Sequence, residues 1–289
     1  MVDYKFIVCS IVAVLSFYLY YKITPNIPKP NEGIIFYYKC SGFNERKSLK
    51  EGSKDFENVF SESRFIFILI PGYTESSTRP WLQVLSEELL KAEPSSCVIF
   101  VEHWNYLTFS RPFMAENVKK IANDIANLLL ASGMSSFMNV HAIGFSMGGW
   151  VAGCISNFLP KEKQIGRITG LDPSFPWKDT DNPDDFLDSG DADVVVILRT
   201  SRISVPVPLV EFDFCVNGCK IQPECDIWWH PSFIRQICSH YKTPFLFASH
   251  LTEKKEDFSS CRCPSRTTLL EGNCSCLVKN TFGLNMTLR

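Results

Sequence analysis

One stretch of the sequence has the residue types and spacing of a nucleophile. Gly144-Phe145-Ser146-Met147-Gly148 is a Gly-x-Ser-x-Gly pentapeptide. An apolar, strand-like run (137–143) leads into it and a helix-like run (149–158) follows. In a strand–turn–helix context such a serine is held out at the edge of a sheet. The turn is sharp enough to bring backbone against backbone, and only glycine has no Cβ to clash. The backbone N–H of Met147, at the start of the helix, then faces the place where an oxyanion would form. The bland alternative is a Gly-rich corner with an incidental serine, so the rest of the chain must decide.

A serine nucleophile needs a base, and the base needs an acid to orient it. In α/β-hydrolases the chain order is Ser, Asp or Glu, His. After Ser146 the first acid at a strand end is Asp172, in Gly170-Leu171-Asp172-Pro173. Pro173 stops the strand and leaves the carboxylate at the C-terminal edge of the sheet. Of the five histidines, His103 and His141 come before Ser146, and His141 reads as a packed strand residue. His230, His240 and His250 remain. His240, in Cys238-Ser239-His240, is favoured because a disulfide two residues away would fix its loop.

The elements that must position these residues follow from the apolar patterning. Residues 34–38, 65–70, 97–102, 137–143, 167–171 and 193–199 are short, β-branched or aromatic runs. Residues 80–92 and 117–130 carry apolar positions at helical spacing. Strands alternating with helices predict an α/β fold, a mostly parallel central sheet flanked by helices on both faces. A hydrophobic content of 45% suffices for a thick core. A net charge of −2 without a basic block argues against nucleic acid as a partner.

The N-terminus carries a membrane signal. Residues 6–21 form an uncharged apolar run after Lys5, and residues 23–30 are Pro-rich like a linker. The run is short for a spanning helix and long for a signal core, so a cleaved signal and an uncleaved anchor both stand, with the anchor slightly favoured. Of the 12 cysteines, Cys9 lies in that run and Cys154 in the helix after Ser146, which suits a buried thiol. The other ten imply a disulfide-stapled domain, secreted or held on the far side of a membrane from the cytosol. A zinc site is the rival, but Cys261-x-Cys263 and Cys274-x-Cys276 have one-residue spacers rather than two to four. Asn273-Cys274-Ser275 and Asn285-Met286-Thr287 are glycosylation sequons that agree with export. After residue 258 the cysteine-rich tail reads as irregular, stapled structure.

Three motifs together, residues 144–148, Ile168-Thr169-Gly170-Leu171-Asp172-Pro173 and Cys238-Ser239-His240, resemble the animal pancreatic-lipase family. The likeness is to its insect-venom-type phospholipase A1 branch and covers roughly residue 33 onward. It implies an α/β-hydrolase of residues 33–289, preceded by an N-terminal segment 1–32, without the family's C-terminal β-sandwich domain. A colipase-type partner would therefore be unexpected. It implies a Ser146–Asp172–His240 triad. The family's first oxyanion donor follows a His-Gly pair; here the stretch is Pro71-Gly72-Tyr73, so the donor would be the Tyr73 N–H beside that of Met147. Residues 187–193 resemble the family's calcium loop, with Asp188 and Asp191 as side-chain ligands and the carbonyls of Pro183 and Phe186 completing the protein set. Such an ion would be structural, and the chemistry itself would need no cofactor. The resemblance pairs Cys40 with Cys97, Cys215 with Cys219 and Cys225 with Cys238. The function implied is hydrolysis of carboxylic esters at a lipid or membrane interface, phospholipase A1-like, with triacylglycerol hydrolysis as the alternative. A non-catalytic lipid-binding relative is the rival from another class, because Pro71 and Val210-Glu211 depart from the family pattern. The lid candidate, 226–237, and the loop 201–212 are both short for the family. Trp228, Trp229, Phe233 and Ile234 on the lid would meet the lipid surface.

Overall fold

Residues 66–70 read Ile-Phe-Ile-Leu-Ile, apolar at every position, which suits a strand covered on both faces. The computed structural model describes residues 33–73, 75–103, 111–174, 187–204, 210, 212–252, 259–262, 268 and 275–281, and in it this run is a central strand, buried throughout. Chain order is β1 (Ile35–Cys40), β2 (Lys47–Leu49), α1 (Lys54–Glu62), β3 (Ile66–Ile70), α2 (Pro80–Ala92), β4 (Cys97–Glu102) and α3 (Arg111–Ala131). It continues with β5 (Phe137–Phe145), α4 (Met147–Cys154), β6 (Ile165–Leu171), β7 (Ala192–Arg199), β8 (Phe212–Cys215), α5 (Ser232–Thr252), β9 (Ser259–Arg262) and β10 (Ser275–Thr281).

Strands one to eight form one sheet in the order β2-β1-β4-β3-β5-β6-β7-β8. From β4 to β8 every pairing is parallel; β1 runs antiparallel to both its neighbours. The two-residue strand period sorts the core. Ile66, Ile68 and Ile70 face a cluster with Phe56 and Phe60 of α1, Ile121 and Ile125 of α3 and Trp150 of α4. Phe67 and Leu69 face the opposite cluster with Trp81, Leu82, Leu85 and Leu89 of α2 and Phe247 of α5. The parallel register brings the C-terminal ends of β3, β5, β6 and β7 to one edge, where functional loops of such sheets gather.

Disulfides join Cys40 to Cys97, Cys215 to Cys219 and Cys225 to Cys238, the pairs implied by the family likeness. The first ties β1 to β4, its neighbour in the sheet, and the last ties the start of the lid to α5.

Several elements differ from expectation. The helix after Ser146 begins directly at Met147, and α3 begins at Arg111. Elements α1, β2, β8 and α5 lie outside the expected set, although Phe56, Val59 and Phe60 of α1 do follow helical spacing after an N-cap serine, Ser53. The α5 sequence hides its helix behind an internal proline, Pro244, which ordinarily breaks one. As a result His240 lies inside a helix rather than on a loop, and the lid candidate is loop only to Pro231. The tail is not wholly irregular: β9 and β10 pair as an antiparallel ribbon. The N-terminal apolar run lies outside the described residues, and among those described no helix is long and apolar enough to cross a membrane.

Candidate active site

Ser146 sits between the end of β5 and the first residue of α4, with φ 54° and ψ −120°. That conformation costs an L-residue about 1–3 kcal/mol and persists only where the surroundings over-determine it. Two glycines let the backbone come that close. A Cβ on Gly144 would lie 2.0 Å from the Gly148 carbonyl oxygen, and one on Gly148 would lie 2.2 Å from that of Ile70. The Ser146 N–H donates to the Leu171 carbonyl at 2.9 Å, locking the turn to β6. Met147 opens α4, so its N–H is among those left unpaired at a helix N-terminus.

Asp172 follows β6 directly, fully buried and also at positive φ, 46°. Its Oδ1 accepts from the N–H groups of Thr200 (2.8 Å) and Ser201 (3.2 Å). Its Oδ2 accepts from Ser201 Oγ at 2.5 Å and from His240 Nδ1 at 2.5 Å. A carboxylate so surrounded is held in one orientation, and with Nδ1 donating to it Nε2 is left as the basic atom of the imidazole. The Phe145 ring lies 4.6 Å from the His240 ring. Pro244 has no N–H, so it cannot bond the His240 carbonyl four residues earlier; Thr243 Oγ1 donates to that carbonyl instead, at 2.9 Å. The break in the helix is thus repaired at the turn that carries the imidazole.

The structure therefore brings Asp172 and His240 together and places Ser146 at the elbow. The Ser146 hydroxyl pairs with Ser174 Oγ at 2.7 Å. Among the described residues it makes no hydrogen bond to His240, so reaching Nε2 requires a turn of the serine side chain, a tightening common when substrate arrives. The other histidines lie elsewhere. His141 is buried on β5 with Nε2 at 2.8 Å from Thr169 Oγ1, and burial pushes its pKa well below the usual value. His250 is buried late in α5, and burial lowers its pKa too. His230 is half-buried on the lid segment.

The stretch that would supply the second oxyanion donor lies against the nucleophile. A Cβ on Gly72 would be 3.1 Å from Ser146 Cβ. The loop is held by side chains that the sequence did not single out. His103 Nε2 lies 3.0 Å from the Pro71 carbonyl oxygen and donates to it. The Gly72 N–H donates to Glu75 Oε2 at 3.0 Å, and the Trp81 indole N–H reaches the same carboxylate at 3.3 Å. Glu102 Oε2 accepts from the Ser77 N–H (2.9 Å) and hydroxyl (2.6 Å). Arg46 Nη1 donates to the Ser77 carbonyl at 2.7 Å, and burial lowers the Arg46 pKa to about 10. Glu75 stands between Thr74 and Ser76 and reads as a solvated loop residue, so only the fold exposes its role.

Asp188 and Asp191 lie on the turn before β7. Asp191 Oδ1 accepts from Ser156 Oγ at 2.7 Å and Oδ2 from the Asp188 N–H at 2.8 Å; Asp188 Oδ1 accepts from the Gly190 N–H at 2.6 Å. Carboxylate oxygens are hard donors of the kind Ca²⁺ takes, but these two brace the turn, and among the described residues no group of three or more His, Cys, Asp or Glu could hold a metal ion. Pro183 and Phe186 lie outside the described residues. Gly153 of α4 makes the space for this turn, since a Cβ there would lie 2.9 Å from Asp191 Oδ2.

On the rim, Trp228 and Trp229 are 83% and 65% exposed, and Phe233, Ile234 and Ile237 are exposed beside them. The Cys225–Cys238 bond and an Arg235–Asp226 contact of 2.6 Å fix the two ends of this segment.

Comparison with known proteins agrees with this geometry. The chain is 33% identical to phospholipase A1 member A of Rattus norvegicus over 234 residues, 78% of this chain and 50% of that protein. The human protein of that name is 32% identical over the same coverage. Lipoprotein lipase of Rattus norvegicus is 30% identical over 243 residues, 76% of this chain and 51% of that protein. The chain thus spans about half the length of the relatives it matches. The family model described as Lipase matches residues 22–286. With that match and an α/β-hydrolase fold, the chain belongs to the Lipase family, the family of the animal pancreatic lipases.

Proposed function

We propose that this chain hydrolyses carboxylic esters of lipids, releasing the sn-1 fatty acid from glycerophospholipid and acting more slowly on triacylglycerol. The observation that carries the reading is the His240–Asp172 pair beside the Ser146 elbow, at the sheet edge below an exposed aromatic rim. His240 Nε2 takes the Ser146 proton as Oγ attacks the acyl carbonyl carbon. The negative oxygen of the tetrahedral intermediate is received by the N–H groups of Met147 and Tyr73. The imidazolium, stabilised by Asp172, returns its proton to the departing lysolipid alkoxide. Water then attacks the acyl-enzyme by the same route, with His240 as base, and frees the fatty acid.

The short lid and the short 201–212 loop read from the sequence support the phospholipid preference, because short loops leave space for a polar headgroup. The likeness to a lipoprotein lipase keeps triacylglycerol as the second substrate to test. A Ca²⁺ ion at Asp188 and Asp191 would brace the turn against α4, and it enters no step. The three disulfides support an oxidising compartment outside the cytosol.

The test pairs covalent labelling by a lipid-like phosphonate with fatty-acid release from phosphatidylcholine vesicles and from triacylglycerol emulsions. Labelling lost in Ser146→Ala and faster release from vesicles support the reading. Triacylglycerol turnover well above phospholipid turnover overturns the substrate preference. A chelator should lower the melting temperature; loss of hydrolysis with an unchanged melting temperature would contradict a structural ion.

A further inference from the structure

We infer that Glu75 is the positioning residue that aims the Tyr73 N–H at the oxyanion, an inference that rests on the ester-hydrolase reading above. Glu75 holds Gly72 at both polar atoms. Its carboxylate accepts from the Gly72 N–H at 3.0 Å, and its own N–H donates to the Gly72 carbonyl at 3.3 Å. That carbonyl shares a peptide plane with the Tyr73 N–H. In a trans peptide the two point in opposite directions. Tying the carbonyl back toward Glu75 therefore turns the Tyr73 N–H away from Glu75. On the other side, the carbonyl of the Pro71–Gly72 peptide is held by His103 while its N–H is held by Glu75. Both peptide planes before the donor are pinned, and Glu75 takes part in each.

A carboxylate is a costly way to fill a buried loop position. Glu75 is 1% exposed, and desolvation raises its pKa against the opposing pull of the Gly72 N–H and the Arg79 guanidinium. Arg79 Nε lies 3.6 Å away and Trp81 donates its indole N–H. Such a group is kept where its acceptor strength is needed, and charge-assisted hydrogen bonds are about twice as strong as neutral ones. The loop also starts with Pro71, which has no N–H, so the first N–H available to anchor it after β3 is that of Gly72.

The experiment measures kcat and KM on a soluble short-chain ester, with inhibition by a trifluoromethyl ketone that forms a tetrahedral oxyanion on the serine. Glu75→Met removes the acceptor at equal length, and Glu75→Gln keeps one. Removing one oxyanion donor outright costs about 10²–10³ in kcat. Glu75→Met, which only releases the donor, should lose about 10- to 100-fold in kcat with KM within threefold, and the ketone should weaken by the same factor. Glu75→Gln should keep at least a third of kcat. A role confined to stability would lower the melting temperature and leave kcat of the folded protein intact. Glu75→Met with kcat within threefold of wild type overturns the inference, as does a Gln variant that falls as far as Met. If Glu75→Met does not fold, Trp81→Phe decides: kcat should fall severalfold at constant KM, and an unchanged kcat overturns the inference. Inactive wild-type protein would instead indict the ester-hydrolase reading, which separates the two failures.

Discussion

Asp172 is fully buried and accepts four hydrogen bonds, whereas Trp228, on the same site's rim, leaves 83% of its surface in solvent. The floor of the site holds two strained residues, Ser146 and Asp172, and the neighbours that fix them come from β6, the segment after β7 and α5. Leu171 locks the elbow, Thr200 and Ser201 hold the acid, and α5 delivers the imidazole. The rim is tied at its ends by the Cys225–Cys238 bond and the Arg235–Asp226 contact, and Trp228 and Trp229 stay exposed although they pack edge-to-face on each other. Strain and satisfied polar groups hold the backbone of the floor in place, so that the Ser146 side chain alone has to turn toward His240. Exposed aromatics make a surface whose best partner is an apolar phase. The two regions should therefore respond differently to substitution.

The floor should give the largest effects. Ser146→Ala is expected to lower ester hydrolysis by about 10⁴–10⁶, with the melting temperature little changed. Asp172→Asn should lower kcat by about 10⁴, because the amide no longer favours the correct imidazole tautomer. Both losses should appear equally on vesicles and on a soluble ester. A pure Ser146→Ala protein within tenfold of wild type would break the assignment of the nucleophile.

The rim should split the two substrates that the floor treats alike. Trp228→Ala combined with Trp229→Ala should weaken action on phospholipid vesicles at least tenfold and leave kcat on a soluble ester within twofold. The melting temperature should hold, since neither ring is buried. The measurement is initial rate against vesicle concentration alongside the soluble assay. Equal losses on both substrates would mean that the rings pack over the floor, and the contrast between the regions would fail.

The same contrast governs what could be read from the sequence. The strands from residue 66 to residue 199 were legible because parallel strands covered on both faces are continuous apolar runs. Ser146 and Asp172 were legible because each sits at a strand end marked by glycine or proline. The disulfide pairing came from the family likeness rather than from the residues. The helix carrying His240 was hidden by Pro244, whose disruption is repaired by Thr243, and no local pattern reveals such a repair. Glu75, Glu102, Arg46 and His103 were illegible for a related reason. Each is a polar residue in a polar context, and each gains its role from partners about 25 to 55 positions away or across a tight loop.

The smallest expected effect concerns pH, and it belongs to the floor's supporting strands alone. His141 is buried on β5, and burial drives its pKa well below the ordinary value of about 6.5 that it regains on unfolding. His103 is lowered by burial as well. In each case the unfolded chain binds a proton that the folded chain refuses. Their contribution to stability is thus fully present above about pH 6.5 and is lost as pH falls below it, by up to about 1.4 kcal/mol per pH unit for each group. Glu75 acts in the opposite sense, since burial raises its pKa and protonation favours the fold as pH falls. Total stability therefore mixes signs, and a difference measurement is needed. His141→Gln keeps a partner for Thr169 Oγ1 and carries no titrating group. Urea unfolding of both proteins between pH 7.5 and 5 should give a wild type that loses stability faster on acidification, with the gap between the two narrowing as pH falls. A gap that stays constant would mean that His141 takes up its proton as readily in the folded chain as in the unfolded one, and that the β5–β6 pairing around it tolerates charge.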